Sequence, residues 1–389
     1  MSYIQEERLV QCFLDMIKID SESYFEADMA EYVKKNLEDM ELVYSEDEAS
    51  EELKEICRKN LGLEGNPSNN IYVYLPGNLP EEKVNKEKSI LLSSHMDTVS
   101  PGNQKKAVIH EDGLITTDGT TVLGADDLSG VAEILEVLRI YTEHDLPHPD
   151  IEVLFTPAEE PYCQGSRLAD YSKIQSKMAL VLDLSGEIGR AAYTAPSIYS
   201  VYIHVHGKAS HAGSAPEKGI HALYIAAKAI AQLPYGHVEE ETTVNFGTIQ
   251  GGDGKNIVPE EVYLTGEIRS MKKDRVTFWA EEIRRVFGEC AAELGGNVDV
   301  VLEKEFDAYR VEEKESVTQT FKKAALHLGI EPRLVETYGG SDCNNFCEHG
   351  IKGLVLANGM NEIHSVREYS RVSDLTKVCE LLLEIISNL

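Results

Sequence analysis

The sequence predicts an α/β fold that is interrupted by a self-contained inserted domain. Short apolar runs rich in β-branched residues alternate with amphipathic helical stretches, which is typical of a sheet whose faces are covered by helices. Between about residues 197 and 308 the order changes to strand, helix, strand, strand, helix and strand, the order of a ferredoxin-like unit. A chain of 389 residues also exceeds what one compact core usually holds, so two domains are expected.

Each element follows from the spacing of its apolar residues. One-sided apolar periodicity predicts helices at 4–17, 26–39, 128–144 and 373–389. Continuous apolar runs predict buried parallel strands at 70–75, 89–94, 151–156, 178–184 and 353–358. The acidic stretch 45–55 is interpreted as a solvated helix or loop. The predicted organisation is one α/β domain made of residues 1–196 and 309–389, with an α+β insertion over 197–308.

The amino-acid composition limits which binding partners and which cellular compartment are expected for the protein. Acidic residues outnumber basic ones 67 to 37, and a net charge of −30 argues against nucleic acid or anionic lipid as partners, although it also serves solubility. The first residues mix acids and bases without a signal-peptide pattern, and no window approaches the ~20 apolar residues of a membrane helix. Seven scattered cysteines favour a reducing cytoplasm over a disulfide framework. Cys343, Cys347 and His349 offer fewer than the four ligands of a structural zinc site.

Polar residues of the kind that bind metals follow the predicted strands. They are His95 and Asp97 after the strand at 89–94, Asp126 and Asp127 before the helix at 128–144, Glu159 and Glu160 after 151–156, Asp183 in 178–184, and His364 after 353–358. Binding sites of open α/β sheets lie at the carboxyl ends of the strands, so these residues are expected to converge.

Such a convergence requires cations. Six carboxylates and two imidazoles in one crevice, with no lysine or arginine in the same motifs, would cost several kcal/mol per buried charge or force protonation. A mixture of histidine and carboxylate ligands suits zinc, with manganese or cobalt as substitutes. The supply is sufficient for two ions about 3.5–4 Å apart, bridged by a carboxylate and a water, which is a known hydrolytic arrangement.

Structural alternatives exist for the individual residues. Asp126 and Asp127 alone are more typical of a helix N-cap with an acidic first turn. His95 alone could be a hydrogen-bonded core histidine, and Asp183 could cap a turn. The pair Glu159–Glu160 lies between Pro157 and Pro161 at a strand end, and the spacing allows either glutamate to be a ligand and the other a base. The joint pattern favours the metal site.

These motifs together resemble a known family. HMDTV, GADD, TPAEE, VLD and the late histidine are similar to the di-zinc aminopeptidase, aminoacylase and carboxypeptidase family that includes peptidase T, over essentially the whole chain. DGTTVLGADD and the double glutamate look most like the peptidase T branch. The resemblance implies a zinc-exopeptidase-type catalytic domain with a mixed, mainly parallel sheet, and an inserted ferredoxin-like lid that in many relatives carries the dimer contact. A homodimer is therefore expected.

The resemblance also implies a role for each site residue. His95 and Asp183 would hold one zinc ion, Glu160 and His364 the other, and Asp126 would bridge them. Glu159 would be the general base acting on the bridging water, Asp97 would orient His95, and His211 would stabilise the oxyanion. Substrate-binding roles are implied for Arg269, Asn256, Gly339 and Gly340.

The expected activity is removal of the N-terminal residue from short peptides, as in an aminopeptidase or tripeptidase. Two alternatives stay open at this point. One is hydrolysis of N-acylated amino acids or other small amides, and the other is a catalytically silent metal-binding relative. The neighbouring Glu159 counts against the silent alternative, because a degenerate relative has no reason to retain a base beside the ligands.

Overall fold

The computed structural model describes residues 3–80 and 89–389, which form two compact units. Unit 1 contains the described residues of Met1–Tyr193, Arg310–Glu336 and Ser341–Leu389, and unit 2 contains Thr194–Tyr309 and Thr337–Gly340. The stretch 337–340 was expected in the second part of the α/β domain, whereas its contacts group it with the insertion.

The helices of unit 1 and unit 2 are numbered together along the chain. They are α1 (Glu6–Ile17), α2 (Ala27–Asp39), α3 (Ala49–Leu61), α4 (Ala125–His144), α5 (Gln164–Arg167), α6 (Ala222–Ile230), α7 (Lys273–Glu293), α8 (Ser316–His327), α9 (Asp342–Glu348) and α10 (Val372–Ser387). The stretch 45–55 thus contributes to a strand and to a regular helix, α3, whose apolar side chains Leu53 and Cys57 are buried.

The strands are numbered in the same way. They are β1 (Tyr44–Glu46), β2 (Ile71–Leu75), β3 (Ile90–His95), β4 (Ala107–Ile109), β5 (Leu114–Thr117), β6 (Ile151–Thr156), β7 (Met178–Leu184), β8 (Arg190–Ala195), β9 (Ser197–His206), β10 (Ser210–His211), β11 (Gly236–Glu239), β12 (Thr242–Gly251), β13 (Ile257–Val258), β14 (Glu261–Ser270), β15 (Asn297–Phe306), β16 (Tyr309–Arg310), β17 (Arg333–Glu336), β18 (Lys352–Ala357) and β19 (Tyr369–Arg371).

A mixed sheet forms the centre of unit 1. Its central strands β6, β3, β7 and β18 are parallel neighbours, as the buried apolar runs predicted. The prediction was wrong for β2, which pairs with β6 in the antiparallel direction. An apolar run reports burial but not strand direction, and β2 lies towards the edge of the sheet, where Tyr74 is exposed.

Helix α4 is the central helix of unit 1. Most of its residues are buried, and it packs on β3 and against α1 and α10. Because α4 is buried on nearly all sides, including its charged residues Glu133 and Glu136, its first residues lie deep inside the unit. The residues that start this helix, Asp126 and Asp127, therefore reach the carboxyl ends of the parallel strands in a buried environment.

Unit 2 has the predicted ferredoxin-like order β9-α6-β12-β14-α7-β15. Its five-stranded antiparallel sheet has the order β11-β12-β14-β9-β15, and one face packs on α6 and α7 around residues such as Ile203, Val205 and Phe287. The short strands β10 and β13 form a separate pair. None of the helices in the described ranges combines the length and apolar character that crossing a membrane requires.

Candidate metal centre

The carboxyl ends of the parallel strands bring five predicted ligands of unit 1 together. They form two overlapping groups in which one donor atom per residue lies within 4.8 Å of the others: His95, Asp126 and Asp183 in the first group, and Asp126, Glu160 and His364 in the second. His95 is the last residue of β3, Asp183 lies near the end of β7, and His364 follows β18.

Asp126 belongs to both groups through different oxygens. Its Oδ1 lies 3.1 Å from His95 Nε2, and its Oδ2 lies 3.2 Å from His364 Nε2. The same His364 nitrogen lies 3.0 Å from Glu160 Oε2. A carboxylate whose two oxygens face opposite imidazoles has the geometry of a bridging ligand.

Asp97 holds both the first histidine and the glutamate pair. Its main-chain and side-chain oxygens lie 3.0 and 3.3 Å from His95 Nδ1. Its carboxylate also accepts hydrogen bonds from the backbone N–H groups of Glu159 at 2.9 Å and Glu160 at 3.2 Å, and from the Ser23 hydroxyl. One buried carboxylate thus sets the orientation of an imidazole and the position of the TPAEE turn.

The two glutamates have different surroundings. Glu160 lies in the group of Asp126 and His364, whereas the buried Glu159 belongs to neither of the two ligand groups around Asp126. Glu159 Oε2 is 4.0 Å from His95 Nε2, and Glu159 Oε1 accepts a hydrogen bond of 3.2 Å from the Cys163 thiol. Of these two adjacent residues, Glu160 therefore joins the group of Asp126 and His364, whereas Glu159 lies next to the cluster without belonging to either group.

The turn that carries the pair has an unusual backbone. Ala158, Tyr162 and Cys163 have φ values of 47°, 69° and 54°, in the left-handed region that side chains disfavour. The buried Glu26 carboxylate stabilises the turn by accepting a hydrogen bond from the N–H of Ala158 at 3.0 Å. Position 165 must be glycine for steric reasons, because a Cβ there would lie 2.0 Å from the carbonyl oxygen of Pro157.

Electrostatics indicate that the cluster is incomplete without a positive charge. Burial raises the pKa of Asp183, Glu159 and Asp127 well above the ordinary range, and it raises the pKa of Glu160 to about 7. Burial would also raise the pKa of Asp126, but hydrogen bonds to the two histidines outweigh it and lower that pKa.

The pKa values of the two histidines are also raised, which for an imidazole favours the charged form. Hydrogen bonds to Asp126 and Glu160 raise the pKa of His364 to about 10. Burial opposes protonation of His95, yet its hydrogen bonds to Asp126 and Asp97 still raise its pKa. The imidazoles thus carry positive charge beside the carboxylates of the cluster.

The donor set fits divalent ions. Glu160 Oε1 is buried and accepts no hydrogen bond from any described residue, which leaves a lone pair that an ion would satisfy. Imidazole and carboxylate donors are those that zinc, manganese and cobalt accept. The two overlapping groups offer three donors each, with Asp126 shared.

Asp127, which sequence reasoning placed with the metal-type residues, has a structural position instead. Its carboxylate accepts hydrogen bonds from the Ser94 hydroxyl, from the N–H of His95 at 3.2 Å and from the Asn358 amide at 2.6 Å. It links the start of α4 to β3 and to the loop after β18.

Sequence reasoning missed several buried acids that support the site. Glu368 accepts hydrogen bonds from three backbone N–H groups, those of Leu123, Gly124 and Asp126, at 2.6–2.9 Å. Asp342 accepts one of 2.6 Å from Thr156, at the end of β6. No periodicity marks these residues, since their partners are up to 245 residues away in sequence. In each case, the only indication in the sequence was that the acidic residue lies near a motif in the last part of the chain.

The remaining predicted site residues lie in unit 2. His211 is exposed on β10 and pairs with Ile257, next to Asn256, whose carbonyl accepts a hydrogen bond of 2.9 Å from Ala212. Arg269 on β14 makes two hydrogen bonds of 2.9 Å to Glu267 and one of 2.8 Å to the carbonyl of Tyr338.

The glycines of the late loop are neighbours of that carbonyl. A Cβ at Gly340 would lie 1.8 Å from the ring of Phe306, so only glycine fits there, whereas Gly339 has no such close contact. Within unit 2, Arg269 and the loop at 337–340 are therefore adjacent.

Comparison with known proteins identifies relatives over the whole chain. The profile of the M20 peptidase dimerisation domain matches residues 193–293, and that of peptidase family M28 matches residues 70–231. The chain is 32% identical over 283 residues to peptidase T of Clostridium perfringens strain SM101, covering 70% of this chain and 68% of that protein.

Two solved structures are similar at full length. A tripeptidase from Staphylococcus aureus has 32% identity and a TM-score of 0.89, over 100% of this chain and 99% of the other. The aminopeptidase PepT from Bacillus cereus has 36% identity and a TM-score of 0.84, over 99% of both chains.

Proposed function

Starting from the fact that the chain belongs to the peptidase T-like branch of the M20 family of metallopeptidases, we propose that it removes the N-terminal residue from short peptides. The observation that carries this proposal is the position of Asp126, shared by two ligand groups, with the carboxyl of Glu159 beside them but in neither group. The names of the similar proteins, a tripeptidase and an aminopeptidase, support the substrate class.

Each group would hold one divalent ion, zinc in the first instance. His95 and Asp183 would hold the first ion, Glu160 and His364 the second, and Asp126 would contact both. When bound, the ions would supply a water activated for attack and would polarise the scissile carbonyl. The unpaired Glu160 Oε1 and the shared carboxylate support this assignment.

Glu159 would act as the general base. It would take a proton from the attacking water and deliver it to the departing amine nitrogen. Three features suit it to this role: its backbone is held by Asp97, it is buried, and burial raises its pKa, which makes the carboxylate a stronger base than one in water.

Asp97 would act through His95. By accepting from Nδ1, its oxygens leave Nε2 free to bind the ion, the arrangement that orients most histidine ligands. It would also keep the two glutamates in register through their backbone N–H groups.

The residues of unit 2 would bind substrate. His211 would stabilise the developing oxyanion, Arg269 would bind the peptide carboxylate, and Asn256, Gly339 and Gly340 would line the substrate loops. Arg269 already holds Glu267, so it would exchange or share that partner when a peptide binds. The match to a dimerisation domain supports a homodimer formed through unit 2, and the odd number and scattered positions of the seven cysteines support a cytoplasmic location.

A matched pair of variants tests the mechanism. Zinc-loaded protein is assayed on a panel of tripeptides with free and with acetylated N-termini, and zinc content is measured alongside. Glu159→Gln should retain the zinc content of the wild type and lose activity by roughly 10²–10⁴-fold, whereas the neighbouring Glu160→Gln should lose zinc as well.

The outcomes separate the alternatives. Release of the N-terminal residue from free peptides alone supports the proposal, and cleavage of acetylated substrates alone would indicate an amide hydrolase of the aminoacylase type. No release from any peptide, or full activity of Glu159→Gln, would overturn the proposal.

A further inference from the structure

The sheet of unit 2 carries a second cluster of metal-binding side chains, on the face opposite to α6 and α7. Side chains alternate along β9, so that Ile203 and Val205 enter the core of the unit while His204 and His206 lie on the other face. Glu261 of the neighbouring strand β14 is paired with His206 in the ladder and lies on the same face.

The three side chains converge closely. His204 Nε2 contacts Glu261 Oε2, His206 Nδ1 lies 3.7 Å from Glu261 Oε1, and the two imidazole rings are 3.8 Å apart between centroids. One donor atom from each residue lies within 4.8 Å of the others. We propose that His204, His206 and Glu261 bind one divalent transition-metal ion of the zinc class, at a site separate from the paired centre of unit 1.

Neighbouring groups orient these donors as they do in metal sites. Asp299 of β15 lies 2.8 Å from His206 Nε2 and, as the acceptor, assigns the proton to that nitrogen, which leaves the Nδ1 lone pair directed towards Glu261. Tyr263 stacks on the His204 ring with centroids 4.0 Å apart, and its hydroxyl donates to Glu261 Oε2 at 3.3 Å. Both imidazoles and the carboxylate therefore have a second partner that fixes their direction.

The site is open to solvent on one side. The side chains of His204, His206 and Glu261 are 27%, 32% and 47% exposed, which permits an ion to enter and leaves room for water as the remaining ligand. Two imidazoles and a carboxylate plus one water is a common four-coordinate zinc arrangement. An ion there would link β9 to β14 and so stabilise unit 2.

The experiment counts ions in the full-length protein. Metal-free chain is loaded with Zn²⁺ alone, freed of excess by gel filtration, and analysed for zinc per chain. The double variant His204→Ala/His206→Ala should hold one zinc fewer than the wild type, and the matched control His237→Ala, an exposed histidine of the same unit, should hold the same number as the wild type.

Two further measurements keep the test independent of folding and of peptidase activity. Asp299→Asn preserves the ligands and should weaken Zn²⁺ binding at this site by about 10–100-fold. Fluorescence of Trp279, which lies in unit 2, should show a Zn²⁺-dependent rise in the thermal midpoint that the double variant lacks. Equal zinc content in the wild type and the double variant, or an equal loss in His237→Ala, would refute the site.

Discussion

Replacing Glu160 by glutamine should make the metal-free protein more stable at neutral pH. Burial raises the pKa of Glu160 from 4.5 to about 7, so the folded state binds a proton that the unfolded state has released over this range. A carboxyl whose folded pKa is raised loses stability as the pH rises through that window. At 1.36 kcal/mol per unit, Glu160 should cost the metal-free protein about 3 kcal/mol between pH 4.5 and pH 7.

Glutamine has the same shape and cannot ionise, so it should avoid this loss. Near pH 4.5 the two proteins should have similar free energies of unfolding, and near pH 7 the variant should be the more stable by about 3 kcal/mol. Zinc should reverse the order, because the ionised Glu160 becomes a ligand, and a ligand at about 1,000 times its Kd stabilises the folded state by about 4.1 kcal/mol, which exceeds the loss of about 3 kcal/mol.

The assay is urea unfolding followed by circular dichroism, in chelator and in zinc, at several values of pH. Trp279 is the only tryptophan of the chain and lies in unit 2, so its fluorescence follows that unit separately. A stability difference between the two proteins that stays constant from pH 4.5 to 7 would refute the electrostatic account. So would a variant that remains the more stable in saturating zinc.

Three further predictions address the surroundings of the site. Gly165→Ala should cost about 1–3 kcal/mol and lower peptidase activity, because the new Cβ meets the carbonyl of Pro157 in the turn before the glutamate pair; thermal unfolding and kcat/KM measure this. Glu368→Gln should weaken zinc binding in calorimetric titration by about 10–100-fold, since an amide cannot accept from all three N–H groups that hold Asp126 in place. Lys105→Met should abolish a rise in stability above pH 8: burial lowers the pKa of Lys105 to about 8, the unfolded chain binds its proton up to about pH 10.5, and stability therefore increases by about 3 kcal/mol over that window.

For each of these three predictions, a specific experimental result would contradict the reasoning. Among the described residues, no atom outside the chain neighbours and the adjoining backbone of α7 lies within 4 Å of the Cβ position at Gly288, so Gly288→Ala should stabilise by roughly 0.5–1 kcal/mol. Equal effects at Gly165 and Gly288 would contradict the steric argument. Unchanged zinc affinity in Glu368→Gln would show that its hydrogen bonds do not position the ligand. An identical alkaline slope for Lys105→Met would assign the rise to other groups.

The architecture was largely predictable because periodicity reports burial. The apolar runs of the parallel strands β3, β6, β7 and β18 and the β-α-β-β-α-β order of unit 2 are encoded locally, in short segments that each carry their own pattern. The convergence of the predicted ligands followed from one rule, that loops after parallel strands meet at one edge of the sheet. The direction of β2 did not follow, since the same apolar run suits either direction of pairing.

The supporting residues could not be predicted in the same way. Glu26 and Glu368 act through hydrogen bonds to backbone groups 132 and more than 240 residues away, and no local pattern encodes such pairs. The sequence pattern likewise did not predict the cluster of His204, His206 and Glu261. His-x-His on a strand indicates a shared face, but the ladder register is what brings the carboxylate of β14 beside it.

By itself, the sequence determined which segments are buried, which residue types gather at the ends of the strands, and that such a set of acids and histidines requires positive charge. Only the tertiary structure decided which oxygen of Asp126 faces which histidine. The spacing allowed either glutamate to join the cluster, the family resemblance implied Glu160, and the structure brings Glu160 beside His364. Burial is set by the composition of each segment, whereas a contact between two polar atoms depends on backbone positions that the whole fold determines.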